Sequence, residues 1–286
     1  MKTKDLYQKQ LQYIFDRPVT EPAWYWSPRE EEEDVFGEDP LAAFEFIERL
    51  CQHPQSDLAP YSDDQVGLGL NFIFDNSCSN LACDFKTAKV PFKRREETLR
   101  NLFVLFRDIF NTRCVARTSA DSKSVLSHIN YICYMFWDVS PLSQWLEFNN
   151  REEIASSFMG NLSDLDIEKF DLPAEIKGLI RKQAAAARSG AAKKSGEEIF
   201  SDVLNQYANM NAETEAYYKA IVYVMEQCLW LDNPACVESG LHGLGHMATF
   251  LPNIAVPRID KYLNRKNKAD QSLTDYAHAA RAGMIQ

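Results

Sequence analysis

The stretch that decides the fold covers residues 217–263 and reads YYKAIVYVMEQCLWLDNPACVESGLHGLGHMATFLPNIAVPRIDKYL. Asp232-Asn233-Pro234 divides it, because proline does not continue a helix. The first part has one helical face, at offsets of 0, 3, 4, 7, 11 and 14: Tyr217, Ala220, Ile221, Val224, Cys228 and Leu231. A second helix opens at Ala235 and has its own stripe: Val237, Gly240, Leu241, Leu244 and Met247. The stretch therefore predicts a helix–turn–helix unit.

Helical periodicity also governs the rest of the chain, and no run alternates with the period of a strand. Helices are predicted over residues 4–15, after the capping pair Asp39-Pro40, and over residues 63–74. Residues 125–138 (VLSHINYICYMFWD) are apolar almost all round, which predicts a central buried helix. We therefore predict an all-α fold, an irregular helical array or bundle.

One segment has the composition of a linker. Residues 189–196 (SGAAKKSG) are small and basic and offer no bulky apolar side chain to a core. We predict an N-terminal helical region over residues 1–188 and a C-terminal helical region over residues 197–286. The alternative is one continuous domain.

The sequence DNPACVESGLHGLG at residues 232–245 resembles the second-helix signature of HEAT-like repeats. That signature has an acidic-proline turn, a valine, small residues three apart and a Leu-Gly pair, which stand here as Val237, Gly240, Gly243, Leu244 and Gly245. Small residues at this spacing let two helices approach closely. The resemblance implies HEAT-like helix pairs. It departs from the repeat pattern in two respects: Glu238 stands where these repeats usually have arginine, and the only other stretch with a similar pattern, residues 63–70, matches weakly.

Three longer segments are similar to those of uncharacterised bacterial proteins, some encoded near polymorphic secreted toxins: DDQVGLGLNFIFDNSCSN, CYMFWDVSPL and ACVESGLHGLGH. Small proteins in that setting often serve as immunity factors. The resemblance implies a protein that neutralises a cognate toxin, and it identifies no site.

Composition limits the partners. The chain has 286 residues and a net charge of −10, which disfavours nucleic acids and anionic membranes and favours a basic protein partner. No apolar run reaches the roughly 20 residues of a membrane span. Seven scattered cysteines and the absence of a signal-peptide pattern predict a cytoplasmic protein with reduced thiols.

An acidic run follows an aromatic triplet near the N-terminus. Large aromatic side chains beside charges are typical of protein-binding hot spots. We predict that this segment binds the partner, and the alternative is a solvated loop: Trp24, Tyr25, Trp26, Glu30, Glu31, Glu32, Glu33 and Asp34.

The sequence contains no P-loop, no GxSxG and no HExxH, so we predict no cofactor, no metal and no enzymatic activity. One alternative remains open. His242 and His246 are four residues apart and share a helix face with Glu238, which is a partial ligand set for a metal-assisted hydrolase. A helical-repeat scaffold or adaptor is the third hypothesis.

Carboxylates at helix ends are the other candidates for acid–base chemistry. Asp138 follows Trp137 directly, and Asp63, Asp64, Asp75 and Asp84 occur earlier in the chain. Because all of them stand near predicted helix ends, we interpret them as capping or solvated residues.

Overall fold

The computed structural model describes residues 3–26, 35–121, 126–149, 163–169, 172–189, 194–265 and 270–285. Contacts divide the chain into two compact units, Met1–Trp145 with Ala212–Gln286, and Leu146–Asn211. The helices on both sides of the linker-like residues 189–196 lie in the second unit.

The first unit is built from α-helices, numbered here in chain order along the whole protein. They are α1 (Thr3–Phe15), α2 (Pro40–Gln52), α3 (Pro54–Asp57), α4 (Asp63–Phe74), α5 (Leu81–Thr87), α6 (Phe92–Leu105), α7 (Asn111–Arg113), α8 (His128–Val139), α12 (Ala212–Cys228), α13 (Pro234–Phe250), α14 (Pro252–Leu263) and α15 (Gln271–Arg281). Shorter 3₁₀ turns occur at Trp24–Trp26, Ser119–Asp121 and Pro141–Ser143, and a π-helical turn at Phe106–Phe110 continues α6.

Side-chain caps explain where several of these helices begin. The Asp39 carboxylate accepts a hydrogen bond from the backbone N–H of Leu41, and Ser62 forms a reciprocal capping box with Gln65. The side chain of Asn233 accepts a hydrogen bond from the backbone N–H of Ala235 at the start of α13. Each cap satisfies backbone N–H groups that have no partner inside the helix.

Helices α4 and α8 pack so closely that the backbone of α8 lies directly against Gly67 of α4. A Cβ atom added to Gly67 of α4 would lie 2.4 Å from the backbone nitrogen of Ile129 and 2.5 Å from the carbonyl carbon of His128. Only glycine leaves room for this contact.

Helix α13 is the centre of the unit and is buried on nearly every side. It packs against α8, α12, α14 and α15. Three of the small residues face the neighbouring elements: Gly240 faces α12, Gly243 faces Trp137 of α8 and Met225 of α12, and Gly245 faces α15 and the C-terminal segment. Val237 and Leu244 are buried beside them.

The second unit contains α9 (Asp164–Lys169), α10 (Ala174–Ser189) and α11 (Gly196–Ala208). Helices α9 and α10 pack together, and Glu168 forms ion pairs with Lys177 and Arg181. A second capping box, between Ser195 and Glu198, begins α11.

The prediction of an all-α fold is confirmed, since no residue that the structure describes lies in a β-strand. HEAT-like pairing stays a prediction. Within the same residues, no helix combines the length and the apolar character that crossing a lipid bilayer requires.

Candidate metal centre

Three side chains with metal-binding donors converge where α8 meets α13. Asp138 lies in the last turn of α8, and His242 and His246 lie one turn apart on α13. One donor atom from each of them lies within 4.8 Å of the others. No other group of three His, Cys, Asp or Glu side chains comes together in this way in the described part of the chain.

Close packing of the two helices brings these side chains into reach. A Cβ atom added to Gly243, next to His242, would lie 2.7 Å from the Cδ1 atom of Trp137, next to Asp138. Because Gly243 has no side chain, α8 approaches α13 closely at Trp137 and Gly243, which are the chain neighbours of the donors Asp138 and His242.

The carboxylate contacts both imidazoles. Nε2 of His242 lies 2.7 Å from Oδ2 of Asp138, and Nε2 of His246 contacts Oδ1. The two Nε2 atoms lie 3.1 Å apart. Two carboxylate oxygens and two ring nitrogens thus lie close together, and each nitrogen–oxygen contact requires a proton or a metal ion between its two atoms.

Either a proton on each Nε2 atom or one metal cation can meet this requirement. Protonated Nε2 atoms donate to separate carboxylate oxygens, Oδ2 for His242 and Oδ1 for His246. Two nitrogen lone pairs directed at one tetrahedral Zn²⁺ ion would lie about 3.3 Å apart, given Zn–N bonds of about 2.0–2.1 Å. The observed N···N spacing is close to that value, whereas Nε2 of His242 and Oδ2 of Asp138, 2.7 Å apart, would have to separate to admit an ion.

Tyr276 of α15 fixes the other ring nitrogen of His242. Its hydroxyl oxygen lies 2.5 Å from Nδ1 of His242 and 3.5 Å from the hydroxyl oxygen of Tyr134. Burial, together with the neighbouring Tyr134, raises the pKa of Tyr276 well above its ordinary value, so its hydroxyl stays neutral. When Nδ1–H donates to this hydroxyl, the Nε2 lone pair faces Asp138, as in a metal-binding histidine held by an outer hydrogen bond.

Burial decreases across the site. The His242 side chain is 1% exposed, whereas those of Asp138 and His246 are 24% and 40% exposed. The inner ligand is therefore rigidly held, and the outer side of the cluster faces solvent.

The electrostatics of Asp138 suit a ligand. Burial alone would raise the pKa of this carboxyl group. Hydrogen bonds to His242 and His246 outweigh that effect, and the pKa lies well below its usual range. The carboxylate is therefore ionised, which metal binding requires.

Glu238, the third residue of the stripe seen in the sequence, has another role. Its carboxylate accepts hydrogen bonds from the backbone N–H of Ser119, at 2.8 and 3.0 Å, and from the hydroxyl of Ser119, at 2.5 Å. It holds the start of the Ser119–Asp121 turn. The structure brings His242 and His246 together and supplies Asp138, not Glu238, as the carboxylate beside them.

The aromatic triplet is split between core and surface. Trp24 is buried against Phe72, with ring centroids 4.7 Å apart, while Trp26 is 56% exposed. The Tyr25 hydroxyl accepts a hydrogen bond from the side-chain amide of Asn71. The acidic residues predicted to bind a partner lie outside the described residues: Glu30, Glu31, Glu32, Glu33 and Asp34.

The sequence indicated Asp138 only as a capping or solvated carboxylate and gave no indication of Tyr276. Asp138 does not cap α8, whose C-cap is Ser140, and it contacts His242 and His246 instead. Its signal was the one acidic residue in an otherwise apolar stretch at residues 125–138. Tyr276 gave no signal, since its role depends on a partner 34 residues away.

Comparison of the chain with family models, curated proteins and solved structures found no match. The resemblances to HEAT-like repeats and to toxin-associated bacterial proteins therefore stay predictions, and the case for a metal centre depends on its geometry.

Proposed function

We propose that this protein binds a divalent transition-metal ion, Zn²⁺ foremost, through Asp138, His242 and His246. The observation that supports this most directly is the convergence of one carboxylate and two imidazole nitrogens from two helices on one point. The proposal departs from the sequence-based prediction of no metal, which lacked a ligand from a second helix.

The donor set favours zinc over the hard cations. Imidazole nitrogen suits Zn²⁺, Cu²⁺, Ni²⁺ and Fe²⁺, whereas Mg²⁺ and Ca²⁺ prefer an all-oxygen shell. Buried His242, with its outer hydrogen bond to Tyr276, supplies the kind of support that zinc-binding histidines have.

Three protein ligands are the number found in catalytic zinc sites, where the fourth position takes water or substrate. Exposure of Asp138 and His246 on one side is consistent with such a position. A zinc ion held by these residues would lower the pKa of a bound water to about 7, so we propose metal-assisted hydrolysis as the reaction class.

Elemental analysis tests the binding. Protein purified in chelator-treated buffer and loaded with Zn²⁺ is expected to retain about one ion per chain after gel filtration, and Asp138→Asn and His246→Ala are expected to lose it. The weakening expected for each ligand variant is about 100-fold or more, judged against the 10- to 100-fold losses seen for outer-shell changes.

Two variants serve as controls. His278→Ala removes an exposed histidine of α15 and is expected to retain the ion. Glu238→Gln should also retain it, because Glu238 binds Ser119. Loss of the ion from Glu238→Gln but not from Asp138→Asn would show that the ligand set is wrong.

A second candidate function is binding of a basic protein, including neutralisation of a cognate toxin in the cytoplasm. The net charge of −10, the exposed indole of Trp26 and the resemblance to toxin-associated proteins support it. Seven free cysteines are in keeping with the cytoplasm. The scaffold or adaptor hypothesis differs from it only in the identity of the partner.

Charge reversal tests this second function. With Glu30, Glu31, Glu32 and Glu33 all changed to lysine, pull-down from the native cytoplasm is expected to lose the basic partner, because long-range attraction is removed. The matched control reverses four exposed acids elsewhere, and it should keep the partner: Asp164, Glu175, Glu197 and Asp275. Equal recovery by both variants would contradict binding through the acidic run.

A further inference from the structure

A small cavity of about 220 Å³ opens beside the Trp24–Trp26 turn in the first unit. Helix α4 contributes Gly67, Leu68 and Asn71, and α8 contributes His128 and Tyr131. The remaining wall is the segment that ends in the aromatic triplet: Glu21, Pro22, Ala23, Tyr25 and Trp26. None of these residues takes part in the metal centre.

Three of the ten lining residues are tyrosine or tryptophan, and two of these side chains are exposed. Trp26 is 56% exposed and Tyr131 42% exposed, although both are large apolar side chains. Tyr25 lies against Trp26 with ring centroids 5.7 Å apart and planes inclined by 66°. A cation is attracted to the negative face of an aromatic ring.

The one charged side chain among the described lining residues is acidic. Glu21 lines the cavity, and none of the described lining residues is lysine or arginine. Burial raises the pKa of the Tyr25 hydroxyl to about 12, and the pKa of Tyr131 is also raised, with the Asp75 carboxylate contributing to both shifts. A positively charged ligand would therefore be attracted, and an anion repelled.

The floor of the cavity is rigid. Gly67 and His128 belong to the backbone contact between α4 and α8, and the side-chain amide of Asn71 is fixed by its hydrogen bond to Tyr25. A preformed site of this kind loses little entropy when it binds a ligand.

We propose that this cavity binds a small alkylammonium cation, with Trp26, Tyr25 and Tyr131 contacting the cationic head group and Glu21 adding charge attraction. A water molecule occupies about 30 Å³ in the liquid, so the cavity has the volume of about seven water molecules. That is enough for a trimethylammonium head group, either in free choline or on a trimethylated lysine. The proposal is independent of the metal centre.

Calorimetric titration of the full chain with choline tests it, with 3,3-dimethylbutan-1-ol as the neutral molecule of the same shape. The titration is done at pH 8. Choline is expected to bind about tenfold more tightly than the alcohol. Equal binding of the two, or no binding of choline and trimethyllysine, would overturn the proposal.

Two tryptophan variants locate the site. Trp26→Ala is expected to weaken choline binding about tenfold, since it removes an exposed wall of the cavity. Trp230→Ala removes an indole that is also half exposed but lies beside Tyr262, and it should leave binding unchanged. A parallel titration with trimethyllysine shows whether the head group is preferred free or on a lysine. Unchanged binding in Trp26→Ala would rule out this cavity.

Discussion

Replacement of Gly67 with alanine is expected to lower the free energy of unfolding by about 2 kcal/mol. The added methyl carbon would lie 2.4 Å and 2.5 Å from backbone atoms of Ile129 and His128, which cannot rotate away. Overpacking of this kind costs about 3 kcal/mol at the upper end of its usual range, and alanine regains about 1 kcal/mol of helix propensity. Urea unfolding followed by far-UV circular dichroism measures the difference.

Gly178→Ala in α10 is the matched control. An added Cβ atom there meets nothing within 4 Å, so this variant is expected to be unchanged or up to about 1 kcal/mol more stable. If Gly67→Ala were as stable as the control, the backbone of α8 would not lie directly against Gly67.

Zinc at a hundredfold excess over its dissociation constant is expected to raise the free energy of unfolding by about 2.7 kcal/mol. The reason is that Asp138 lies on α8 and both histidines lie on α13, so the complete site exists only in the folded chain. Urea titrations with and without Zn²⁺, under reducing conditions, measure the increment.

His246→Ala is the variant to compare, because its side chain is 40% exposed and its removal leaves the core intact. The stabilisation by zinc should disappear in this variant and persist in His278→Ala. Mg²⁺ should stabilise neither. Equal stabilisation of wild type and His246→Ala would place zinc elsewhere on the chain, for example at the free cysteines.

The helices could be predicted because the signals that define them are local. The predicted helix at residues 63–74 is α4, with Ser62 and Gln65 closing its first turn. The break at Asp232-Asn233-Pro234 became the cap of α13. Helical periodicity and caps act over a few residues, so they can be read from neighbouring positions.

The candidate site could be predicted only in part. His242 and His246 share a face by helix geometry alone, and the sequence placed them together. The same geometry put Glu238 on that stripe, but its carboxylate is occupied by Ser119, 119 residues away. The aromatic triplet likewise appeared as one surface, although Trp24 packs into the core.

Sequence by itself determined an all-α protein, the approximate limits of its main helices and the shared helix face of His242 and His246. Tertiary structure alone brought Asp138, 104 residues from His242, beside these two imidazoles. The physical reason is that a helix is stabilised by contacts within one or two turns, whereas the crossing of α8 and α13 depends on the fit of Gly243 against Trp137. This contact lies between two helices that are far apart in the sequence, so no local sequence pattern predicts it.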